Sequence, residues 1–456
     1  MSGLVARTLI ACAGLALVSL VLWWATRENH SAAPQDDREE VLFWHFWGGQ
    51  DQQVVDDLIE RFHESQTRYR VRAISMPGNN LDLKLFLAIT GGSPPDLVNQ
   101  DDPIVADWAE RGALTPIDEL ASPEERAELE TFLFPAARRL GEYRGKLYAL
   151  TNGLDVRALY YNADWLRREG LEPPQSRDDL DRIAATIHSK IAADGNAPLT
   201  HIGYLPDPRR LWAWGYVHGG QFYDATRGRV TADDPKIVAA LEWMTGYSQR
   251  YGHDRVSAFR SGDQKLPGKT FPLLANRYAV LLDGQWRIRD IEAAQAKQRA
   301  AGQRPTEYGV CAMPPPPGGR RDAGWINGNF FVVPKGAKHS AGAWALMRFW
   351  IGLASERSAR EAAADVAAKT CLAGGWIPVS QRVVDRPIFQ GQLTRQPLWR
   401  EFVRLAGSPN QFPTPLIPGA PRLFREVNQA AESAMYRKSS DPPEQLLKRI
   451  GQRFGE

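Results

Sequence analysis

The chain has 456 residues, enough for two or three domains, and is 43% hydrophobic and 24% charged with a formal net charge of +3. So small a net charge excludes nucleic acid or another polyanion as the expected partner, and the composition is that of an ordinary globular protein. The unusual count is tryptophan, at 15; an indole pairs a large apolar face with a single N–H donor and recurs in binding surfaces.

At the N-terminus Arg7 precedes an uncharged run from Leu9 to Ala25. This reads as an export signal or a single membrane anchor over about residues 1–35, with Arg7 on the cytoplasmic side and the remaining chain outside. Ser31-Ala32-Ala33 offers a small-residue cleavage site well beyond the run, so a retained anchor is at least as good an expectation as cleavage. Leu9-Ile10-Ala11-Cys12 matches a lipoprotein box superficially, but the apolar stretch continues past Cys12, so lipidation is the weaker expectation. No later segment is long and apolar enough to span a bilayer. Beyond the leader only Cys311 and Cys371 remain. Two cysteines make no disulfide framework, and buried free thiols are expected.

Residues 41–47 predict a buried strand that opens into Gly48-Gly49, with Trp44 in the core and Trp47 beyond the strand at a pocket mouth. Val54, Val55, Leu58, Ile59 and Phe62 then repeat at helical spacing. "YRVRAISM" reads as a strand, "LDLKLFLAIT" as a helix stopped by Gly91-Gly92, "PPDLVNQDD" as a turn and short strand, and "PIVADWAERG" as a helix. Strands alternating with helices predict a parallel sheet, and ligands of such sheets bind beyond the strands' carboxyl ends. Trp47 and the group Asn99, Gln100 and Asp101 stand at two of those ends. A second α/β region follows. It holds the strand "VRALYYN", a helix started by Ser176 and Asp179, and a helix with Ile237, Ala240, Leu241 and Met244 on one face. "YAVLLDGQW" and two strands around a Pro/Gly connector come next, then a helix burying Ala343, Leu346, Met347 and Trp350. The tail is helix-rich.

Nucleophile-elbow, P-loop, dinucleotide and zinc-protease motifs are missing, and the eight histidines show no metal spacing. Neither a catalytic residue nor a metal or cofactor is expected. Asp101-Asp102 suits the start of a helix better than an acid/base pair. Tyr160-Tyr161 on a strand face opposite sides, which argues against a shared iron ligand set. What recurs is an indole beside glycine and polar groups, at Trp47, Trp286, Trp325 and Trp376. Any one is more often core. Four at loop positions favour a cleft for a sugar, whose C–H faces stack on indoles and whose hydroxyls bond Asp, Asn, Gln and Arg. One indole face burying about 80 Å² contributes about 2 kcal/mol, so hydroxyl bonds and closure must supply most of a micromolar affinity.

The chain resembles bacterial extracellular solute-binding proteins of ABC importers, the carbohydrate-binding family that includes maltose-binding protein. The matching segments are "VLFWHFWGGQ", "AITGGSPPDLV", "WAERGALTPIDEL", "YRGKLYAL", "ALYYNADWLRREGLEPP", "AVLLDGQW", "YGVCAMPPPPGG" and "NGNFFVVPKGAKHSAGAWALMRFW". They occur in the family's order over about Val41 to Pro387.

The resemblance implies two α/β lobes, each a mostly parallel sheet flanked by helices, joined by a hinge with ligand held between them. Lobe 1 would be about residues 40–152 and 309–353, lobe 2 about 153–308 and 354–456, with crossings near 152–155, 308–312 and 353. Trp47, Asn99, Gln100 and Asp101 would fall at the cleft edge. Asp155 would sit in the hinge crossing, where relatives often place a sugar-binding carboxylate. Trp286 matches a Trp that often stacks on sugar, and Trp325, Asn327 and Gly328 match a cleft-edge loop. Trp376 is a weaker match. The implied function is capture of a saccharide or related polyol outside the cytoplasm and its delivery to importer permease subunits, by a monomer and without catalysis. "SRDDL" and the "GGRRDAG" arginine pair depart from the family's pattern and leave the sugar open. Two other readings remain. One is a sugar-sensing receptor subunit; the other is a carbohydrate-active enzyme on the same scaffold using Asp155 with Asp101.

Overall fold

A computed structural model describes residues 37–76, 81–100, 103–189, 197–354 and 356–454. The N-terminal apolar run, Cys12, the candidate cleavage site and Asp101 lie outside the described residues. Among the described residues no helix is long and apolar enough to cross a membrane.

The principal strands are β1 (Glu39–His45), β2 (Tyr69–Ser75), β3 (Leu97–Gln100), β4 (Leu114–Thr115), β5 (Ala149–Thr151), β6 (Arg157–Asn162), β7 (Val280–Gly284), β8 (Tyr308–Cys311) and β9 (Phe330–Pro334). A first sheet runs β2-β1-β3-β9-β4, with β5 also on β9. β1 is parallel to β2 and β3, and β9 is antiparallel to β3, β4 and β5. In β1 the alternation buries Val41, Phe43 and His45 on one face. The helix Gln50–Ser65 buries Val55, Leu58, Ile59 and Phe62, the stripe that the spacing predicts.

A second sheet runs β7-β6-β8, and both outer strands are antiparallel to β6. The two-lobed α/β architecture matches the expectation, but this sheet is not parallel throughout. β7 and β8 run the same way, joined by the helix Arg287–Ala300, as a β-α-β unit should. β6 inserts between them in the opposite sense, because a long helical excursion separates it from β7. The predicted capping box forms at the helix Arg177–Ser189. Asp179 N donates to Ser176 Oγ at 3.2 Å, and Ser176 N donates to the Asp179 carboxylate at 2.9 Å.

Most of the tryptophans are core. Trp108, Trp212, Trp214, Trp350 and Trp399 are among the largest fully buried side chains. Trp214 and Trp243 meet edge to face with centroids 4.6 Å apart. Tyr160 is buried with its hydroxyl donating to the Gly284 carbonyl at 2.9 Å, whereas Tyr161 is half-buried. Cys311 and Cys371 are free thiols, and burial pushes each up to about 12. Both are therefore inert packing groups at neutral pH.

Candidate functional site

Polar residues gather where the strands of the first sheet end. β1 ends on His45, β3 on Asn99 and Gln100, and β5 on Thr151, followed by Asn152. β9 joins them: Phe330 is opposite both Gln100 and Thr151, and Phe331 is opposite Asn99. All five polar residues are buried. Both imidazole nitrogens of His45, both amide atoms of Asn99, the Thr151 hydroxyl and the Asn152 amide nitrogen have no hydrogen-bond partner among the described residues. Burial lowers His45 to about 4, so its ring is neutral at neutral pH. Buried polar groups are nearly always paired, so a cluster of unpaired ones at the carboxyl ends of the strands is a candidate place for a polar ligand.

From β5 the chain crosses to β6 through residues 152–156. Two other segments lie against this crossing. Leu154 N donates to the Ile377 carbonyl at 2.7 Å, and Asp155 N donates to the Asn327 carbonyl at 2.8 Å. Approach is so close that side chains are excluded. A Cβ on Gly153 would lie 2.6 Å from Trp376 Cβ, and one on Gly328 would lie 2.6 Å from the Gly153 carbonyl oxygen. Gly328 is thus a packing requirement of the crossing, and Asn327 enters through its backbone.

Asp155 is partly exposed at this junction. Its Oδ1 accepts from Gln285 Nε2 at 3.0 Å. Gln285 is fully buried; it also donates to the Gly375 carbonyl at 3.2 Å and accepts from Val156 N at 3.0 Å.

The four indoles form two pairs. Trp47 and Trp376 come together at 5.6 Å between centroids, and Trp47 stacks on Trp350 at 5.5 Å. Trp47 is only 4% exposed, while Trp44 is half-buried. This reverses the expected division into a core Trp44 and a Trp47 at the pocket mouth. The chain turns at Gly49, with φ 62°, and tucks Trp47 under the crossing instead of leaving it at a mouth. Trp286 and Trp325 form the other pair, around Arg157. The guanidinium carbon lies 4.5 Å from the Trp286 ring centre and 5.1 Å from that of Trp325. Trp325 is buried and its Nε1 donates to Thr414 Oγ1 at 3.1 Å; Trp286 is partly exposed. Trp286 also lines a pocket of about 610 Å³ with Arg210, Asp283 and Arg287. At the rim Arg289, one turn beyond Trp286, pairs with Asp51 at 3.2 Å and ties the second sheet's elements to the first's.

The expected residues Asn99, Gln100, Asp155, Trp286, Trp325, Asn327 and Gly328 therefore converge on the crossing, and Trp47 and Trp376 lie packed against it. His45, Thr151, Asn152, Gln285 and Arg157 were not anticipated. Buried polar residues at predicted strand ends were the signal for the first three. Among the described residues no three His, Cys, Asp or Glu side chains gather where they could hold a metal ion.

A sequence profile of bacterial extracellular solute-binding proteins matches residues 48–355, more than half of the chain. The maltotriose-binding protein of Pyrococcus abyssi (strain GE5 / Orsay) is 23% identical over 276 residues, covering 60% of this chain and 54% of that protein. The chain spans about half the length of the curated relatives it matches over most of this region. The solved structure of CpMnBP1 with mannotriose bound superposes with a TM-score of 0.72 at 23% identity, over 91% of this chain and 99% of that one. The sugar-binding protein MalE from the phytopathogen Xanthomonas citri gives 0.70 at 18% identity, over 91% and 96%. These structures share the two-lobed fold. By the match over residues 48–355, the chain belongs to the bacterial extracellular solute-binding proteins.

Proposed function

We propose that the chain captures a saccharide or related polyol in the cleft between its lobes and hands it to the permease subunits of an ABC importer, without consuming it. The carrying observation is the convergence on one crossing of Asp155, Trp286 and the buried side-chain atoms of His45, Asn99, Thr151 and Asn152 that lack a hydrogen-bond partner among the described residues. The maltotriose-binding relative and the mannotriose-bound structure support a saccharide. Lobe 1 comprises β1–β5, β9 and the helices of residues 50–141 and 340–384. Lobe 2 comprises β6–β8, the helices of residues 163–300 and those from about residue 387. Two contacts support this division over one that ends lobe 1 near residue 353. The helix Arg360–Gly374 packs on the helix Gln50–Ser65, and Arg382 pairs with Glu128 at 2.7 Å. The helix Leu398–Ala406 packs on β6 and β8. The apolar run over residues 9–25 would hold a monomer at the outer face of the membrane.

Equilibrium dialysis of the full-length chain against a panel of oligosaccharides, followed by chromatography of the recovered sugars, tests the reading. It predicts retention of at least one sugar at micromolar concentrations and its recovery unchanged. New products, or retention of none, would contradict it.

A further inference from the structure

Arg157 is a cation with no counterion in contact among the described residues. The residue is 6% exposed, and its Nε and Nη1 have no hydrogen-bond partner among the described residues. None of the described ion pairs includes it. The two carboxylates nearest in effect are already engaged. Asp155 accepts from Gln285 at 3.0 Å. Asp283 accepts from Arg287 Nε at 2.9 Å and from Gly284 N at 2.8 Å, with Arg210 Nη2 at 3.6 Å. Arg210 adds a second positive charge near Arg157, and its Nε is likewise buried without a partner among the described residues. Burial, then Arg210, bring Arg157 down to about 10 against the opposing pull of Asp155 and Asp283, so it still carries its charge at neutral pH.

A buried guanidinium left unpaired is costly, and cation–π contact with two indoles offsets only part of that cost. Indole rings cover the guanidinium's face, so the N–H groups in its plane are what remain to a ligand. That fork matches a carboxylate or a phosphate through two parallel hydrogen bonds. Neutral hydroxyls could accept the same protons, but they would leave the charge uncompensated.

We propose that the ligand of this cleft is an acidic saccharide, whose carboxylate or phosphate group is received by Arg157 between Trp286 and Trp325. The proposal rests on the saccharide reading above and narrows it. The shared chemistry is an oxyanion on a sugar ring, from either a uronic acid or a sugar phosphate.

Calorimetric titration of the full-length chain with digalacturonate, its neutral methyl ester, galactobiose and glucose 6-phosphate tests it. We expect digalacturonate or glucose 6-phosphate to bind at least tenfold more tightly than the neutral compounds; whichever acid wins identifies the source of the oxyanion. Arg157→Met should erase that advantage, and Arg157→Lys should restore part of it. The comparison of acid with methyl ester uses the unaltered chain and does not depend on the variants folding. If the neutral compounds bind as tightly as the acids, the acidic-ligand proposal is overturned while saccharide capture stands. If neither kind binds, the acidic-ligand proposal is overturned, and saccharide capture stands or falls on the dialysis panel.

Discussion

Gln285 fixes the position of Asp155: its side-chain amide donates at 3.0 Å to the Asp155 carboxylate while its carbonyl accepts from the neighbouring Val156 N–H at 3.0 Å. With its third bond to the Gly375 carbonyl at 3.2 Å, one buried side chain joins the end of β7 to two strands of the crossing. Asp155 was the carboxylate expected to serve the ligand. Asp155 and Arg157 form no ion pair among the described residues, and the side chain that braces the crossing is Gln285.

Gln285→Leu would leave the Val156 N–H and the Gly375 carbonyl unpaired in the interior. Each orphaned buried group costs about 1–3 kcal/mol, so the variant should lose about 2–6 kcal/mol of stability. Urea melts of the two proteins measure this. A loss below about 1 kcal/mol would show that the three bonds are not a structural brace.

Asp155→Ala should weaken saccharide binding roughly ten- to a hundred-fold, since hydrogen bonds to a charged acceptor contribute about 1.5–3 kcal/mol. The backbone bonds between Asp155 and Asn327 survive the change, so the melting midpoint should move little. Calorimetry checks the first and a thermal melt the second. Unchanged affinity with a lowered midpoint would make Asp155 a hinge residue and nothing more.

Trp47→Ala removes an indole packed against Trp350, Trp376 and Phe331. A buried aromatic cut back to alanine costs about 3–5 kcal/mol. The expected result is a marked loss in a denaturant melt. A variant as stable as the parent but weaker in binding would return Trp47 to the cleft wall.

The strand at residues 41–45, the helical stripe of 54–62 and the capping box at Ser176 were legible because each depends on neighbours within one turn or one strand. The first sheet and the convergence of Asp155, Trp286 and Trp325 followed from the ordered segments that match the family. The antiparallel insertion of β6 was not legible, because strand direction depends on how a distant helical excursion returns. Nor was the burial of Trp47, which is decided by Trp350 and Trp376, some three hundred residues on. Arg157 was legible only as a neighbour of Asp155; its place between two indoles exists only once β6, β7 and the loop before β9 are brought together. The richness in tryptophan was read as a sign of binding, whereas most of the indoles fill cores.

His45 titrates near 6.5 in an unfolded chain and is held at about 4 in the fold by burial. Between those values the unfolded chain takes up a proton that the folded chain refuses. Its contribution to stability is therefore complete above pH 6.5 and is lost as the pH falls to about 4. At about 1.4 kcal/mol per pH unit, the loss is roughly 3 kcal/mol at most. His218, lowered to about 4 chiefly by burial and opposed by its bond to the Trp214 carbonyl, acts in the same direction. Chemical melts at pH 7.5 and 4.5 should show His45→Met losing less stability between the two than the parent. Equal losses would mean that His45 takes up its proton in the folded chain as readily as in the unfolded one.

On the proposed function a saccharide is held between the two sheets at the crossing. A crystal structure of the full-length chain grown with the tightest-binding sugar tests it most directly. It should show a sugar ring against the exposed face of Trp286, with the Asp155 carboxylate and the Asn99 amide within hydrogen-bond distance of its hydroxyls. A sugar lodged elsewhere on the chain, or one in the cleft that neither Asp155 nor Asn99 can reach, would contradict the account.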